Sequence, residues 1–493
     1  MDNNKIIILG EHLKEYKLFV QRIGLIGITN ILISLSSLIL LPVLSKNLSI
    51  QDYGIWGMFN TTITFVPLLI NLGLPYSMVR FLAVKHDNNQ IKEEFYSITF
   101  LMLVMGIVAA LVLFLFSKQI AVIIFGGNVT VAMLLAASVL VFIVYNAFST
   151  YFRTFQQMKI FSLLSLLQVY SMVAVIILLI GFGYKIDGVV FGYFVSQVVV
   201  ALIAIIFTVH QIGIRLPGFK NIKEYLSFGI PTVPGNLSNF IVDFSDRYVI
   251  VILLGTSFVG YYNPGYTLGS VLTMFAAPFA FLLPSLLASY YDQNRIDEVK
   301  IHLQYSLKYF LLITIPAVFG ISFLSKPLLV ILSTHEIAVQ GYLVTPFVAI
   351  GALLFGIYGI VSQILVLEKQ TKIIGYLWMV TAAINLGLNL LFVPYFGIIA
   401  AAISTLIAYI FACVITVYYS LKYLKFEFDL KFIFKSLVAS ILMSLIIVLI
   451  NPASAISIAI TIAVGIVAYL VFILLLKGIS PDELNFFKKL VEK

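Results

Sequence analysis

Charged residues are scarce in this sequence. Aspartate, glutamate, lysine and arginine together make up 10% of its 493 residues, whereas an average soluble domain contains about 25%. Apolar residues make up 61% of the chain, against about 45–50% in soluble domains. A chain this long and this apolar cannot hide its apolar surface in one aqueous core, so lipid has to solvate much of it. The composition indicates an integral membrane protein.

Cysteine and recognisable catalytic motifs are nearly absent as well. The only cysteine, Cys413, lies in an apolar segment, so no disulfide can form within the chain. We find no P-loop, dinucleotide-binding fingerprint, nucleophile elbow or cluster of metal ligands. The segments predicted to face the outside are also short and nearly uncharged, which argues against an enzyme acting there. The sequence therefore predicts no metal site, no cofactor and no enzymatic activity.

Long apolar runs are abundant instead. They are about 20 residues long rather than alternating ten-residue strands, which favours helices over a β-barrel. The sequence predicts an all-α polytopic membrane protein with about 14 transmembrane helices. The predicted spans lie near residues 19–44, 55–79, 95–117, 129–151, 160–182, 188–209, 228–254, 258–290, 302–324, 338–366, 373–393, 397–420, 433–450 and 455–476.

The basic residues indicate the orientation of these spans. The net charge of +9 does not indicate a nucleic-acid partner, because the basic residues lie in short loops between apolar runs. If the N-terminus is inside, only Lys46, Lys118, Lys185 and Lys326 of the 30 lysines and arginines face outwards, and Arg247 lies within a span. The remaining 25 are cytoplasmic, as the positive-inside rule requires. We therefore predict a multi-pass protein of the inner or plasma membrane with both termini in the cytoplasm.

Two stretches of the sequence indicate an internal repeat. Leu44–Gly54 follows the first span and Leu253–Gly260 follows the seventh, and both read as tight outer turns that end in glycine. Both repeats would start on the cytoplasmic side, so a pseudo-two-fold axis along the membrane normal would relate them. We predict two six-helix lobes, at 1–215 and 216–425, and two further helices with a cytoplasmic C-terminus at 426–493.

The seventh span carries charges where lipid is expected. Asp243, Asp246 and Arg247 lie within it, and charges inside a span normally face a bundle interior or an aqueous cavity. Asn236 and Asn239 precede the acids at steps of three and four residues, which places the amides and acids on one helical stripe. We predict that this stripe binds substrate or an ion in a central cavity.

The first span has a milder polar stripe. Asn30, Ser34 and Ser37 lie at similar spacing, and alignment of the two repeats places Asn30 on Asn236. The two stripes would then face each other across the cavity. An alternative is that Arg247 pairs with one of the two acids as a structural lock between helices. One arginine cannot neutralise two carboxylates, however, so the second acid would remain to bind a proton or a cation.

A second candidate set consists of cations at predicted cytoplasmic helix ends. As a ring near the mouth of a cavity, they could bind a phosphate-bearing headgroup through charge-assisted hydrogen bonds. The alternative for each of them is simple anchoring at the membrane interface. The set is Arg22, Arg80, Arg153, Lys159 and Lys372.

The order of several short motifs resembles that of polysaccharide biosynthesis flippases of the Wzx type, which share a superfamily with MurJ and the MATE exporters. The N-terminal part of the resemblance is a continuous run that includes a proline and a tyrosine–glycine turn, and the later parts are short. The matching segments are Leu41–Gly54, Leu72–Pro75, Arg80, Asp246-Arg247, Gly255, Val259–Tyr262, Pro278, Pro284 and Asp292.

This resemblance implies a transporter that flips a lipid-linked oligosaccharide from the cytoplasmic to the outer leaflet. The lipid would be a polyprenyl phosphate or pyrophosphate, and two lobes would alternate access to a cationic cavity under an ion gradient or the membrane potential. The implied partners are membrane lipids, H⁺ or Na⁺ as coupling ion, and glycan polymerase or assembly proteins. Only Asp246 and Arg247 of the stripe lie on a motif of the family.

A MATE-like, cation-coupled exporter of small organic molecules is the alternative function. Such a protein needs acids in its cavity and few cations. Asp243 and Asp246 fit that requirement, whereas Arg247 and the N-terminal motifs do not.

Overall fold

The structure is a computed structural model that describes residues 3–83, 85 and 87–479, with side chains from residue 24 onward. Within these residues the chain is helical and contains no β-strand. The chain divides into two compact units, Met1–Val259 and Gly260–Lys493. The prediction of an all-α polytopic fold is confirmed. The predicted division into lobes at 215 and 425 is based on an internal repeat. A division into compact units does not test that repeat, so the lobes stay a prediction.

Within its described residues, the first unit contains ten α-helices and the start of an eleventh. They are α1 (Asn3–Asn47), α2 (Ile50–Ile70), α3 (Leu74–Leu82), α4 (Asn88–Leu115), α5 (Ser117–Ile124), α6 (Val129–Thr154), α7 (Met158–Gly181), α8 (Ile186–Ile212), α9 (Ile222–Gly229), α10 (Val233–Leu253) and α11 (Thr256–Ser270). A 3-10 turn, Ile230–Thr232, joins α9 to α10.

The described part of the second unit contains the rest of α11, a 3-10 turn at Val271–Phe275 and nine further α-helices. They are α12 (Ala277–Asp292), α13 (Ile296–Phe323), α14 (Ser325–Leu332), α15 (His335–Gly341), α16 (Val344–Val361), α17 (Gln363–Leu367), α18 (Thr371–Tyr423), α19 (Leu430–Ile450) and α20 (Ala455–Leu475).

Each of the fourteen predicted spans overlaps a helical segment. Twelve segments of the described chain are long and apolar enough to cross a membrane. One of them, α18, is 53 residues long and breaks at Gly397 (φ 64°, ψ −149°), where the sequence separates the eleventh and twelfth spans. The fourteenth segment is α10, which is 21 residues long and carries the three charges discussed above.

The second span is shorter than predicted. The sequence places it at 55–79, but α2 ends at Ile70 and a new helix, α3, begins at Leu74. Between them Leu72 and Gly73 have positive φ values of 49° and 68°, a conformation that ends a helix and that glycine adopts without strain.

Polar caps set the starts of three helices of the first unit. Ser49, Asp87 and Asn128 precede α2, α4 and α6, and each side-chain oxygen accepts a hydrogen bond from a backbone N–H in the first turn. Such caps satisfy donors that have no partner within the helix. Short polar residues between apolar runs therefore determine where these helices begin.

The start of the seventh span is held against the end of the second. The Ser77 hydroxyl donates to the backbone oxygen of Tyr225 at 2.7 Å. A Cβ on Gly73 would clash with the Gly229 carbonyl oxygen, and a Cβ on Gly229 would lie 2.5 Å from the Leu72 oxygen. The two backbones touch here, so only glycine fits at either position.

Tyr225 lies at the same contact. Its burial, and to a lesser extent the nearby Glu94 carboxylate, raise the pKa of the Tyr225 hydroxyl above its usual value, so this hydroxyl stays neutral.

Aromatic contacts align α10 with α2 over its next turns. The Phe65 ring stacks on Phe240 with 4.8 Å between centroids, and it meets Tyr248 edge-on at 6.0 Å. The Tyr248 hydroxyl donates to the Thr62 hydroxyl oxygen at 3.0 Å. These contacts fix the rotation of α10, and with it the direction of its polar residues within the first unit.

Candidate functional site

The charges of α10 form a buried ion pair. Asp246 is 0% exposed and Arg247 is 6% exposed. The Arg247 Nη1 donates to Asp246 Oδ1 at 2.8 Å, and the Arg247 backbone N–H donates to the same oxygen at 2.8 Å. The Arg247 Nη1 also donates to the backbone oxygen of Asp243 at 2.8 Å, and its guanidinium lies 5.1 Å from the centre of the Phe244 ring. Arg247 and Asp246 thus form an ion pair at 2.8 Å.

The remaining residues of the predicted stripe occupy different environments. Asn239 is exposed, Asn236 and Asp243 are half-buried, and Asp246 is fully buried. Asn236 Oδ1 accepts a hydrogen bond from the Tyr76 hydroxyl at 3.4 Å. The stripe therefore runs from an accessible end near α3 to a buried end at the ion pair. Its role in binding stays a prediction.

The predicted polar residues of α1 are only partly buried. Asn30 and Ser37 are exposed, and Ser34 is half-buried and donates to the Asn30 backbone oxygen at 3.0 Å. Among the residues that the structure describes, none of these three side chains forms a hydrogen bond with α10. That the two stripes face each other remains a prediction.

A cavity of about 220 Å³ lies within the first unit between α2, α3, α6 and the start of α10. It brings together one residue from each of the two predicted sets, Asn236 from the stripe and Arg153 from the cations. Its polar lining consists of Thr64, Asn71, Tyr76, Asn146, Thr150, Arg153 and Asn236. The cavity is therefore the place where predicted substrate-binding residues of different helices meet.

Two amide groups on the wall of this cavity have unsatisfied oxygens. Asn71 is 9% exposed, and its Oδ1 is buried and accepts no hydrogen bond from the described part of the protein. The same holds for Oδ1 of Asn146 on α6. Buried polar atoms nearly always have a partner in folded proteins, so these two oxygens are exceptions on residues that line the cavity, although neither atom is itself accessible from it.

Of the other predicted cations, the three whose side chains are described do not share this cavity with Arg153. Arg80 ends α3 and Lys159 lies in the first turn of α7, both exposed and neither on the cavity wall. Lys372 is exposed at the start of α18 in the second unit. The side chain of Arg22 lies outside the described residues. A ring of headgroup-binding cations therefore stays a prediction.

A buried polar cluster in the second unit was not predicted from the sequence. The Asn385 Nδ2 donates to the Thr405 hydroxyl oxygen at 3.2 Å, and the Asn389 Nδ2 donates to Asn385 Oδ1 at 3.1 Å. Both asparagines are 0% exposed and Thr405 is 3% exposed. The signal that could have identified the cluster is a pair of asparagines four residues apart in an otherwise apolar span.

The chain belongs to the family described as polysaccharide biosynthesis protein, which it matches over residues 19–289, more than half of its length. The match includes the whole cavity and the ion pair of α10. Residues 231–391 also match the MatE family. The protein is thus a multi-pass membrane protein of the polysaccharide biosynthesis family.

One curated relative and two solved structures illustrate the similarity. The "probable low-salt glycan biosynthesis flippase Agl15" of Haloferax volcanii is 21% identical over 216 residues, which cover 44% of this chain and 46% of that protein. The match thus spans less than half of that relative. The lipid II flippase MurJ, in its inward closed conformation, superposes with a TM-score of 0.74 at 19% identity, covering 90% of this chain and 97% of that one.

An inward-facing multidrug resistance MATE transporter of the MOP superfamily is also similar in structure. It superposes with a TM-score of 0.67 at 14% identity, covering 78% of this chain and 94% of that one. At these identities both structures show the fold that the chain shares with flippases and exporters. The function has to be argued from the family and from the site.

Proposed function

We propose that the protein is a flippase that translocates an oligosaccharide linked to a polyprenyl phosphate or pyrophosphate. It moves this lipid from the cytoplasmic to the outer leaflet of the inner or plasma membrane by alternating access, with both termini in the cytoplasm. The observation that carries the proposal is the family match over residues 19–289. The flippase names of Agl15 and MurJ support it. The protein works within membrane lipids, hands its product to glycan polymerase or assembly proteins, and requires no catalysis and no nucleic acid.

The cavity of the first unit supports an anionic, hydroxylated substrate. Arg153 lines it and makes no ion pair with any described residue. An unpaired guanidinium beside amide and hydroxyl groups suits a phosphate together with sugar hydroxyls. A small organic cation would instead meet repulsion from Arg153.

The ion pair of α10 supports coupling to an ion. A buried Asp246–Arg247 pair is stable only while both partners carry charge. A proton or a sodium ion that reaches Asp246 competes with Arg247, because one carboxylate cannot satisfy both cations in a dry environment. Exchange between these two states gives an ion gradient a way to bias the conformation of α10.

The second candidate is a MATE-like exporter of small organic molecules, coupled to a cation. The match of residues 231–391 to the MatE family favours it. The presence of Arg153 on the cavity wall disfavours it.

A transport measurement separates the two functions. The full chain is reconstituted into liposomes with a short-chain polyprenyl-pyrophosphate saccharide, and the lipid in each leaflet is followed with and without an imposed H⁺ or Na⁺ gradient. We expect protein-dependent movement of the lipid that is accelerated by one gradient and lost in Asp246→Asn. The matched control is Asp297→Asn, which makes the same change at an exposed acid paired with Lys300 and should transport normally. Exchange of small organic cations without movement of the lipid would establish the exporter instead.

A further inference from the structure

The connection between α8 and α9 is a segment without helix or strand that lies against α4. It comprises residues 213–221 and contains residue 215, the predicted boundary between the two lobes. We call it the strap. Positive φ values occur near both of its ends, at Gly213 (φ 70°) and Phe219 (φ 51°). Because the strap is the covalent link between the predicted lobes, it has to accommodate any movement of one lobe against the other.

Two neighbouring side chains of α4 bind the backbone of the strap. The Ser97 hydroxyl oxygen accepts hydrogen bonds from the backbone N–H groups of Gly218 and Phe219, at 2.9 and 3.3 Å. The Tyr96 hydroxyl donates to the backbone oxygen of Gly213 at 2.7 Å. The strap is therefore fastened to α4 near both of its ends.

Two acidic residues of α4 bind side chains of the strap. The Arg215 Nη2 lies 3.5 Å from the Glu93 Oε2, and both side chains are partly exposed. The Asn221 Nδ2 donates to the Glu94 Oε1 at 2.9 Å. A Cβ on Gly218 would overlap the Glu93 carboxylate, so the strap lies directly against Glu93 at this glycine. The contacts of the strap with the first turns of α4 are thus mainly polar.

The apolar side chains of the strap contribute little burial to this contact. Ile214 is 80% exposed and Leu216 is 85% exposed. The Phe219 ring lies 5.4 Å from the Phe100 ring, but each of these residues is 47% exposed. Hydrogen bonds and exposed ion pairs add only modest net stability, because water can replace them when they open. Segments with few buried apolar contacts are those that open locally in folded proteins.

We infer that the strap is releasable and that its release from α4 is a step of the transport cycle. While it is docked, the strap holds the end of α8 and the start of α9 at fixed places along α4. After release, its nine residues can span up to roughly 30 Å, so the two helices can move apart. Tyr96 and Ser97 are positioning residues that hold the docked state. The inference rests on the proposed alternating access and adds which contact has to open.

Hydrogen exchange of the purified full chain, followed by mass spectrometry, tests whether the strap opens as one unit. Tyr96→Phe removes the hydroxyl that binds Gly213 and leaves both hydrogen bonds to Ser97 in place. If the strap opens as a unit, the amides of Gly218 and Phe219 should still exchange roughly fivefold faster, as for one lost hydrogen bond. Unchanged exchange of these two amides would contradict release as a unit.

The control for this substitution is Tyr376→Phe. It makes the same change at a tyrosine of α18 that is 69% exposed and that lies in the second unit. It should leave exchange of the strap unchanged.

A reversible bridge tests whether release is needed for transport. In the variant Glu93→Cys, Arg215→Cys, Cys413→Ala, a short bifunctional methanethiosulfonate joins α4 to the strap where the ion pair lies at 3.5 Å. Cys413 is the only native cysteine, so the reagent has no other thiol to modify. In the liposome assay with the short-chain polyprenyl-pyrophosphate saccharide, we expect the bridge to stop movement of the lipid and a reducing agent to restore it.

The matched control places the same bridge within one helical turn. Arg295 and Glu298 form an exposed pair three residues apart at the start of α13. The variant Arg295→Cys, Glu298→Cys, Cys413→Ala takes the same reagent without joining two elements. It should transport equally well with and without the bridge.

The outcomes distinguish this inference from the proposed function. If the bridged strap variant flips the lipid as fast as its reduced form, the inference is wrong and the flippase stands. If the native protein flips no lipid, the proposed function fails and the role of the strap in transport fails with it.

Exchange in the native protein decides the case in which the reduced strap variant is itself inactive. The lipid substrate, supplied with the ion gradient that drives its movement, should speed exchange of the amides of Gly218 and Phe219. Exchange that stays the same during transport would overturn the inference.

Discussion

Replacing Asp246 with asparagine removes one negative charge from a fully buried position of α10. The new side chain keeps nearly the same shape, and its oxygen can still accept hydrogen bonds from the backbone N–H and the guanidinium of Arg247, which both lie 2.8 Å from the present Oδ1. The change therefore isolates the loss of charge from a loss of packing. What remains is a 6% exposed guanidinium that has lost the charge of Asp246 at 2.8 Å.

The expected cost follows from this burial. Removing one partner of a buried ion pair usually destabilises a protein by about 3–5 kcal/mol, because the other charge stays in a low dielectric. Arg247→Gln should cost a similar amount, since it strands the Asp246 carboxylate. The double variant contains no stranded charge, so we expect it to be more stable than the sum of the single changes by about 2–3 kcal/mol.

The assay is the unfolding midpoint of the four proteins in one mixed-detergent series, run beside the transport assay. Arg295 and Glu298 form an exposed pair at 2.9 Å, and the same cycle on this pair should give nearly additive effects. Additive effects at Asp246 and Arg247 would refute the coupled, buried pair. If the double variant is more stable than the single variants but does not transport, the pair has a role in coupling. If it recovers both stability and transport, the pair is only a structural lock.

Three further substitutions test local features, each by the unfolding midpoint in the same detergent. Gly229→Ala should destabilise by about 1–3 kcal/mol, because its Cβ would lie 2.5 Å from the Leu72 oxygen, and backbone cannot rotate away. Gly397→Ala should cost about 1–3 kcal/mol through backbone strain alone, since φ is +64° and no atom lies within 4 Å of the new Cβ. Asn385→Leu should cost about 1–3 kcal/mol, because it removes the acceptor of the Asn389 amide.

One glycine substitution serves as the control for these changes. Gly181 is the last residue of α7, it lacks a positive φ, and a Cβ there meets no atom within 4 Å. Gly181→Ala should leave the midpoint nearly unchanged. An unchanged midpoint in Gly229→Ala would contradict the close backbone contact, and an unchanged midpoint in Gly397→Ala would contradict the break in α18.

Hydropathy alone is sufficient to locate the helices, because each span must satisfy its own backbone hydrogen bonds in lipid. The break at Gly397 was predictable as well, since Pro394 and Gly397 interrupt a single long apolar run. The end of α2 was not. The segment after Ile70 remains largely apolar through α3, so its hydropathy gives no sign of a helix end. The helix ends because the backbone at Leu72 and Gly73 adopts positive φ values.

The site was predictable only where it lies on a single helix. Asp246 and Arg247 are neighbours in sequence, so their pairing was one of the alternatives, and the structure shows this pair. Asn71 and Asn146 are far apart in sequence and meet only because α2 packs against α6. The periodicity of a single helix cannot predict that residues of two different helices line the same cavity. Neither asparagine is charged, so neither stood out in an apolar segment.

The geometry of the α10 ion pair has a consequence for how the protein is made. A charged residue at the centre of a helix costs about 2.5–3.5 kcal/mol when the translocon passes that helix to lipid, and α10 carries three such residues. Because Asp246 and Arg247 are consecutive residues of one helix, they can neutralise each other during synthesis, before any neighbouring helix has packed. The pair thereby lowers the cost of inserting two of the three charges of α10, and it does so whether or not it takes part in transport.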